Sequence, residues 1–312
     1  MNHPTPSYTG VIPPVVTPLH GDGTVDRPSL ERLVGHLLEG GVHGLFALGS
    51  SGETVFLTDE QRDAALEVIV KTVDGQVPVL VGCIEPTTPR VIHRADVAAR
   101  LGADAIVTTA PFYALVGPHE VDRHFRAIHL ATDLPQLAYD IPVCVHTKLS
   151  VDLLVDLARD GVIAGVKDSS GDDVSFRQLL IAAGEDPALA GFSALTGHEV
   201  VVDAMMLGGA SGSVPGLANV DPAGYVRLHD ACVAGDWALA RQEQDRLTRL
   251  FRIVTAADPA TTSGATRGVG SFKTALAELG VIDSNAVSLP MRALDEAEAA
   301  RVRGHLVQAG LV

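Results

Sequence analysis

Eight short apolar segments, seven of them followed by a longer helical pattern, predict an α/β fold: a (β/α)8 TIM barrel with a C-terminal helical extension. Segments that are apolar throughout are typical of parallel strands buried on both faces. An open doubly wound sheet would need a Gly-x-Gly-x-x-Gly turn after its first strand, and the sequence there reads Pro-Leu-His-Gly-Asp-Gly. We therefore expect the barrel, with strands at residues 11–17, 44–48, 77–83, 105–109, 134–139, 162–167, 188–193 and 209–213.

Capping and helix-breaking residues place the helices between these strands. Thr58 and Gln61 form a capping-box pattern that marks the start of the second helix, and Gly40-Gly41 ends the first. The barrel helices are expected at residues 29–39, 58–73, 87–100, 118–132, 151–159, 174–183 and 198–207. Beyond residue 221 no strand pattern remains, and helices are expected at 222–234, 237–255, 271–279 and 290–308. We divide the chain into a barrel domain (1–220) and a helical extension (221–312) packed on the barrel.

The overall charge and the cysteine and histidine patterns exclude several classes of partner. The 312 residues carry a formal net charge of −15, which argues against nucleic acid and anionic membranes as partners. Residues 1–10 show no signal-peptide pattern, and no apolar run approaches membrane-spanning length. The three cysteines are widely spaced and the twelve histidines show no metal-ligand spacing. We expect a cytoplasmic protein without a metal site.

Lys167 occupies an unusual position for an ammonium group, because it ends a buried strand in the segment Gly165-Val166-Lys167-Asp168. It is one of only four lysines among 23 basic residues. Burial favours the neutral amine, which can attack a carbonyl carbon and form a Schiff base. The alternative is a structural lysine that extends past the strand end and pairs with Asp168 or another carboxylate. The residue type by itself leaves both interpretations open.

Tyr139 ends the fifth predicted strand and should lie beside Lys167, because catalytic side chains of such barrels meet at the C-terminal ends of the strands. A phenol next to a lysine amine can move protons to and from the intermediates of Schiff-base chemistry. The alternative for Tyr139 is an aromatic residue at the rim with its hydroxyl in water.

Other strand ends carry groups that suit a small acid. The loop Gly49-Ser50-Ser51-Gly52-Glu53 offers two hydroxyls and free amides for a carboxylate, although a plain turn would look the same. It matches neither Gly-x-Ser-x-Gly nor a Walker loop, which argues against a serine hydrolase or an NTPase.

His198 and Glu199 follow strand seven. The 208–216 loop, with Ser213 and Val214, either cradles a phosphate or permits close approach of substrate.

Together these motifs resemble the dihydrodipicolinate synthase and N-acetylneuraminate lyase family of class I aldolases, over essentially the whole chain. The matching segments are Thr17-Pro18, Gly49-Ser50-Ser51-Gly52-Glu53, Pro111-Phe112-Tyr113, Tyr139-Asp140-Ile141-Pro142, Gly165-Val166-Lys167-Asp168 and Asn219. The resemblance implies a pyruvate-type Schiff base on Lys167 without an external cofactor, with Tyr139 as acid and base and Ser50 as a proton relay. It also implies that Ser51 holds the keto-acid carboxylate and that Tyr113 enters the site of a neighbouring subunit. A homotetramer built as a dimer of dimers follows from this resemblance.

The sequence departs from both branches of that family. The synthases place an arginine five residues after the catalytic tyrosine to bind a second carboxylate, and Cys144 stands at that position here. The lyases bind sugar hydroxyls with an acidic pair after strand seven, of which only Glu199 is matched. The segment from Lys167 to Gly171 looks more like the 2-keto-3-deoxy sugar-acid aldolases and dehydratases. The candidate substrate-binding residues are Gly49, Ser51, Gly52, Cys144, His198, Glu199, Ser213 and Val214.

We therefore expect a Schiff-base-forming lyase, an aldolase or dehydratase, that acts on a small-molecule 2-keto acid. The favoured substrate is a 2-keto-3-deoxy sugar acid or an N-acetylneuraminate-like compound. One alternative is 4-hydroxy-tetrahydrodipicolinate synthase, condensing pyruvate with aspartate semialdehyde, with Arg123 or Arg126 replacing the missing arginine. A second is a non-catalytic keto-acid-binding barrel. Against it, a binding protein would need the carboxylate clamp but neither the Lys167 amine nor its proton relay.

Overall fold

The computed structural model describes residues 8–312, so residues 1–7, part of the segment expected to lack a signal peptide, lie outside the described residues. The strands are β1 (Gly10–Val11), β2 (Leu45–Ala47), β3 (Val79–Gly82), β4 (Ala105–Thr109), β5 (Gln136–Asp140), β6 (Gly165–Asp168), β7 (Ser193–Thr196) and β8 (Gly212–Ser213). The barrel helices are α1 (Arg27–Glu39), α2 (Asp59–Val73), α3 (Thr88–Arg100), α4 (Pro118–His129), α5 (Pro142–Val145), α6 (Val151–Arg159), α7 (Asp173–Glu185) and α8 (Val202–Leu207). The extension consists of α9 (Pro222–Val233), α10 (Trp237–Leu250), α11 (Ser271–Glu278) and α12 (Glu296–Gln308).

The strands form one parallel sheet in the order β1-β8-β7-β6-β5-β4-β3-β2. A parallel bridge between Pro14 and Phe46 joins the two ends of this order and closes the barrel. Pro13 and Pro14 have no N–H to donate, which limits β1 to two residues. The Pro13 carbonyl still accepts from the Phe46 amide at 2.9 Å. The predicted (β/α)8 barrel with its C-terminal helices is therefore confirmed.

Several element boundaries differ from the predictions: β1, expected at residues 11–17, ends at Val11, β8, expected from residue 209, begins at Gly212, and the helix expected at 237–255 ends at Leu250. The seventh strand, predicted at 188–193, lies at Ser193–Thr196, because a 3-10 turn occupies Pro187–Leu189 and Asp186 caps it. The Asp186 carboxylate accepts from the Ala188 amide at 2.9 Å. The helix predicted from 198 begins only at Val202, and the helix predicted from 290 begins at Glu296. The short helix α5, which follows β5, was not predicted.

The extension shares a hydrophobic core with one side of the barrel. Val11 of β1, Leu37 of α1, and Leu228, Leu247 and Leu306 of the extension belong to one cluster of buried side chains. Burying such side chains contributes roughly 2 kcal/mol each, so this shared cluster holds the extension against the barrel. The exact division at residue 220 stays a prediction. Within the described chain, none of the helices has both the length and the apolar character that crossing a membrane requires.

Candidate active site

Lys167 and Tyr139 face each other at the C-terminal end of the barrel. They are partners in the register of β5 and β6, and the Lys167 Nζ donates to the Tyr139 hydroxyl at 3.1 Å. Both side chains are buried, Lys167 to 5% exposure and Tyr139 to 2%. The Lys167 Nζ lies 4.7 Å from the centroid of the Phe46 ring, which meets the Tyr139 ring edge to face. The structure therefore confirms the prediction that the Lys167 amine and the Tyr139 phenol lie side by side.

The structural alternative for Lys167, an ion pair with Asp168, is wrong. The Asp168 Oδ1 accepts instead from the amide and hydroxyl of Ser170, at 2.8 and 2.7 Å. Its second oxygen lies 3.9 Å from Lys148, which also pairs with the fully buried Asp140. Burial raises the pKa of both carboxyls. Within residues 8–312 no carboxylate lies at ion-pair distance from Lys167, so its amine is committed only to Tyr139.

The loop after β2 brings a serine to the same place. The Ser50 Oγ lies 3.4 Å from the Tyr139 hydroxyl, which extends the chain of exchangeable protons from Lys167. Gly49 and Gly52 allow the loop to fold this closely. A Cβ on Gly49 would lie 2.5 Å from the Phe46 ring, and one on Gly52 would lie 3.0 Å from the Val15 carbonyl oxygen.

Glu53 holds the loop after β2 against the C-terminal extension. Its carboxylate is fully buried, forms an ion pair with the equally buried Lys273 of α11, and accepts from the Ser288 amide at 2.6 Å. Lys273 in turn donates to the Ala286 carbonyl at 2.8 Å, and burial lowers the pKa of its ammonium group. The extension therefore positions the loop that carries Ser50 and Ser51.

Glu199 lies inside the site, whereas His198 lies at its rim. The Glu199 Oε2 accepts from the Leu217 amide at 2.7 Å, and burial raises the pKa of this carboxyl to about 7. The His198 Nδ1 lies 3.1 Å from both carboxylate oxygens of Asp173, with both side chains more than a third exposed. His198 is thus placed for an interaction at the surface.

A cavity of about 880 Å³ opens above these groups. Of the candidate residues, Ser50, Ser51, Cys144 and Glu199 line it. The rest of its wall is Val143 together with residues of the extension: Phe251, Val254, Thr255, Ala257, Pro259, Gly264, Ala265, Arg267, Gly268, Val269 and Phe272. The contribution of residues 256–270 is not predictable from the sequence, because this segment shows only loop-forming composition and no signal that it folds back over the barrel.

The other candidate residues lie outside the lining of this cavity. Ser213 and Val214 are buried, and both are hydrogen-bonded to barrel backbone: the Ser213 carbonyl accepts from the Ile12 amide at 2.9 Å, and the Val214 amide donates to Thr196. Tyr113 is 97% exposed, with a backbone φ of 73°. Asn219 is buried, with its side-chain oxygen accepting from the Val16 amide at 3.1 Å.

Neither arginine proposed to replace the missing guanidinium reaches the cavity. Arg126 pairs with Asp122 and Asp160 at the surface. Arg123 lines a separate depression beside α4. Within residues 8–312, no three His, Cys, Asp or Glu side chains are grouped as metal ligands.

Comparison with known proteins places the chain in a family. The model of the dihydrodipicolinate synthetase family matches residues 7–309. A 4-hydroxy-tetrahydrodipicolinate synthase from Phenylobacterium zucineum is 35% identical, covering 98% of this chain and 99% of the relative. An uncharacterised DapA-like lyase from Halobacterium salinarum is 33% identical, covering 97% and 94% of the two chains.

A solved structure agrees with the sequence relatives. YagE from E. coli K12, a prophage protein solved in complex with pyruvate, is 30% identical and superposes with a TM-score of 0.90 over 98% of this chain and 99% of that one. Enzymes of this kind are pyruvate-dependent lyases and synthases that use a lysine Schiff base and no external cofactor. The chain belongs to the dihydrodipicolinate synthetase family and is an enzyme of this pyruvate-dependent class.

Proposed function

We propose that this enzyme is a Schiff-base lyase that acts on a 2-keto acid through Lys167, with a 2-keto-3-deoxy sugar acid or an N-acetylneuraminate-like compound as substrate. The observation that carries the proposal is the buried contact of 3.1 Å between the Lys167 amine and the Tyr139 hydroxyl. Neither side chain belongs to the lining of the cavity, but the Tyr139 hydroxyl lies 3.4 Å from the Ser50 hydroxyl, which does. A buried amine with a proton carrier at hydrogen-bond distance is what imine formation requires.

The reaction begins when the neutral Lys167 amine attacks the C2 carbonyl carbon of the keto acid. The carbonyl oxygen takes up two protons, the second through Tyr139, and leaves as water, so that a C=N bond replaces the C=O bond. Tyr139, which has given up its proton, then takes the proton of the C4 hydroxyl while the protonated imine accepts the electron pair of the C3–C4 bond. This bond breaks, C4 leaves as an aldehyde, and an enamine remains on Lys167. Protonation of the enamine and hydrolysis return pyruvate and free Lys167. In a dehydratase, the same imine acidifies C3–H and a hydroxyl leaves instead.

The remaining site residues take roles that fit their positions. Ser50, 3.4 Å from the Tyr139 hydroxyl, passes protons between this tyrosine and Tyr113 of a second subunit. Ser51 and the amides of the Gly49–Gly52 turn bind the keto-acid carboxylate. Glu199 accepts from substrate hydroxyls on the wall of the cavity. In this proposal the enzyme works in the cytoplasm as a homotetramer, a dimer of dimers.

The first test is borohydride trapping with pyruvate, followed by intact and peptide mass spectrometry. A reduced pyruvyl adduct on Lys167, absent from Lys167→Ala, is the expected result. The pyruvate bound in the E. coli relative supports pyruvate as the probe. An adduct on another lysine would refute the assignment of Lys167. Binding of pyruvate without any adduct would favour a non-catalytic keto-acid-binding barrel.

A second candidate function is 4-hydroxy-tetrahydrodipicolinate synthase, which the name of the Phenylobacterium relative favours. Against it stands Cys144, at the position where the synthases carry their carboxylate-binding arginine. Turnover of pyruvate with aspartate semialdehyde, compared with cleavage or dehydration of 2-keto-3-deoxygluconate, distinguishes the two. Equal or faster turnover of aspartate semialdehyde would overturn our preference for a sugar acid.

A further inference from the structure

Arg267 is the one cationic side chain on the lining of the active-site cavity. It lies on a single π-helical turn, Thr266–Gly270, that leads directly into α11. The backbone of this turn is well supported: the Thr266 amide donates to the Ser263 hydroxyl at 3.1 Å, and the Gly270 carbonyl accepts from the Thr274 hydroxyl at 2.7 Å. The turn that carries the guanidinium is therefore fixed relative to α11.

Among residues 8–312, the Arg267 guanidinium has no anionic partner. Two arginines of the extension that are also partly buried do have carboxylate partners: Arg246 pairs with Asp221 at 2.8 Å and Arg292 with Glu298 at 2.6 Å. No carboxylate lies within ion-pair distance of Arg267 among residues 8–312. A half-buried cation that the fold leaves unpaired is costly unless a ligand supplies the anion.

The surroundings of Arg267 favour an anionic ligand over a neutral one. Most neighbouring lining residues of the extension are apolar, including Val254, Ala257, Val269 and Phe272, so water screens the guanidinium less than at the surface. Glu199 is the one acidic side chain in the lining, and its carboxylate is already bound to the Leu217 amide. The cavity therefore has a cation on its wall that is available to a ligand.

We infer that Arg267 binds an oxyanion at the end of the substrate far from Lys167. This inference rests on the proposed function and narrows it, because it makes the substrate a 2-keto acid with a second anionic group, a carboxylate or a phosphate. The extension then supplies the cation that the synthases place five residues after their catalytic tyrosine, where this chain has Cys144. A guanidinium binds a carboxylate or a phosphate with two parallel hydrogen bonds. The geometry therefore predicts an oxyanion but does not distinguish a carboxylate from a phosphate.

The test compares matched keto acids that differ only in the far end. Imine formation on Lys167 is measured by borohydride trapping over a range of concentrations of 2-oxoadipate and of 2-oxohexanoate. A second pair, 2-keto-3-deoxy-6-phosphogluconate and 2-keto-3-deoxygluconate, asks whether the anion is a phosphate. We expect one dianionic ligand or both to half-saturate the enzyme at about 10- to 100-fold lower concentration than its partner, as a charged hydrogen-bonded pair provides.

The variants assign this preference to one side chain. Arg267→Gln should abolish the preference and leave pyruvate trapping unchanged, and Arg267→Lys should restore part of it. Arg252→Gln is the matched control. Arg252 is exposed on the 3-10 turn Phe251–Thr255, which directly follows α10, and its side chain does not line the cavity. Equal half-saturation within both ligand pairs, or a preference that survives in Arg267→Gln, would overturn the inference. Failure of pyruvate to trap on Lys167 would instead refute the proposed function itself.

Discussion

At the scale of single residues, the site depends on the environment of one amine. The Lys167 Nζ lies 4.2 Å from the centroid of the Tyr139 ring and 4.7 Å from that of Phe46. A cation above an aromatic face gains about 0.5–2 kcal/mol, depending on how far it is removed from water. In the proposed mechanism, the protonated imine carries its charge at this same nitrogen. The two rings are therefore placed to stabilise the intermediate that draws electrons from the substrate.

Replacing Tyr139 with phenylalanine should separate binding from turnover. The ring and its packing on Phe46 remain, so the keto acid still binds; the imine on Lys167 forms more slowly without the hydroxyl but can still be trapped. Turnover should fall by about two to four orders of magnitude, because the proton carrier is lost. Steady-state kinetics alongside borohydride trapping measure both quantities. Tyr8→Phe is the control, since the Tyr8 hydroxyl contacts only the Asp104 carbonyl, at 3.3 Å. Full activity of Tyr139→Phe would contradict the role proposed here.

Glu199 should make the stability of the protein depend on pH. Burial raises the pKa of its carboxyl from 4.5 to about 7, so the folded state binds the proton more tightly than the unfolded state does. The stabilisation is complete below about pH 4.5 and is lost as pH rises through about 7.

The Glu199→Gln variant tests this dependence. Glutamine can still accept from the Leu217 amide, but it cannot ionise. Relative to this variant, the wild type should lose up to about 3 kcal/mol of unfolding free energy between pH 5 and pH 8. Thermal unfolding at the two pH values measures the difference. Identical pH dependence in both proteins would contradict the prediction.

At the scale of elements, the ion pair of Glu53 with Lys273 joins the loop after β2, which carries Ser50 and Ser51, to helix α11. Both side chains are fully buried, so removing one partner leaves an uncompensated charge. Lys273→Met should therefore destabilise the protein by about 3–5 kcal/mol, and the double variant with Glu53→Gln should lose less than the sum of the two single changes.

An exposed ion pair of the same extension provides the control for this prediction. Arg303 and Glu278 pair at 2.8 Å, with the Arg303 side chain 60% exposed. Arg303→Ala should cost less than about 1 kcal/mol. Denaturant unfolding of Lys273→Met, Glu53→Gln, their double variant and Arg303→Ala gives the comparison. A cost for Lys273→Met no larger than that for Arg303→Ala would show that the buried pair does not hold the loop.

At the scale of the whole molecule, Tyr113 is unusual in two respects. Its ring is almost fully exposed in the single chain, and its backbone lies in the left-handed region, which costs a non-glycine residue about 1–3 kcal/mol. Both features fit a side chain that completes a site in another subunit. We therefore predict that neither Lys167→Ala nor Tyr113→Phe supports full activity alone, and that mixed oligomers recover some of it.

Co-expression of the two variants tests this arrangement. In a two-fold dimer, one of the two sites of a mixed pair combines an intact Lys167 with an intact Tyr113 from its partner, so about a quarter of all sites should be active after random mixing. Sedimentation measures the assembly state in parallel. No activity above the sum of the separate variants would mean that Tyr113 acts within its own chain or not at all.

The sequence by itself determined the barrel and the chemical centre of the site. Parallel strands buried on both faces leave long apolar runs, and the side chains that end neighbouring strands must meet, which placed Tyr139 beside Lys167. Local signals were also reliable where they were complete, as in the capping box of Thr58 and Gln61 at the start of α2. They failed near Pro187, where the capped 3-10 turn displaced β7 by several residues.

Only the tertiary structure decided what surrounds that centre. The extension folds back over the barrel, so Arg267 and Phe272 line the same cavity as Ser50 and Cys144, which lie more than a hundred residues earlier in the chain. The tertiary structure also pairs Glu53 with Lys273. Asp168 accepts from Ser170 and lies near Lys148, so the Lys167 amine contacts Tyr139 instead. Hydrophobic periodicity and helix-capping patterns extend over a few residues, so they predict each helix or strand separately from the others. Which distant side chains share a cavity depends on how whole elements pack, and no local pattern encodes that.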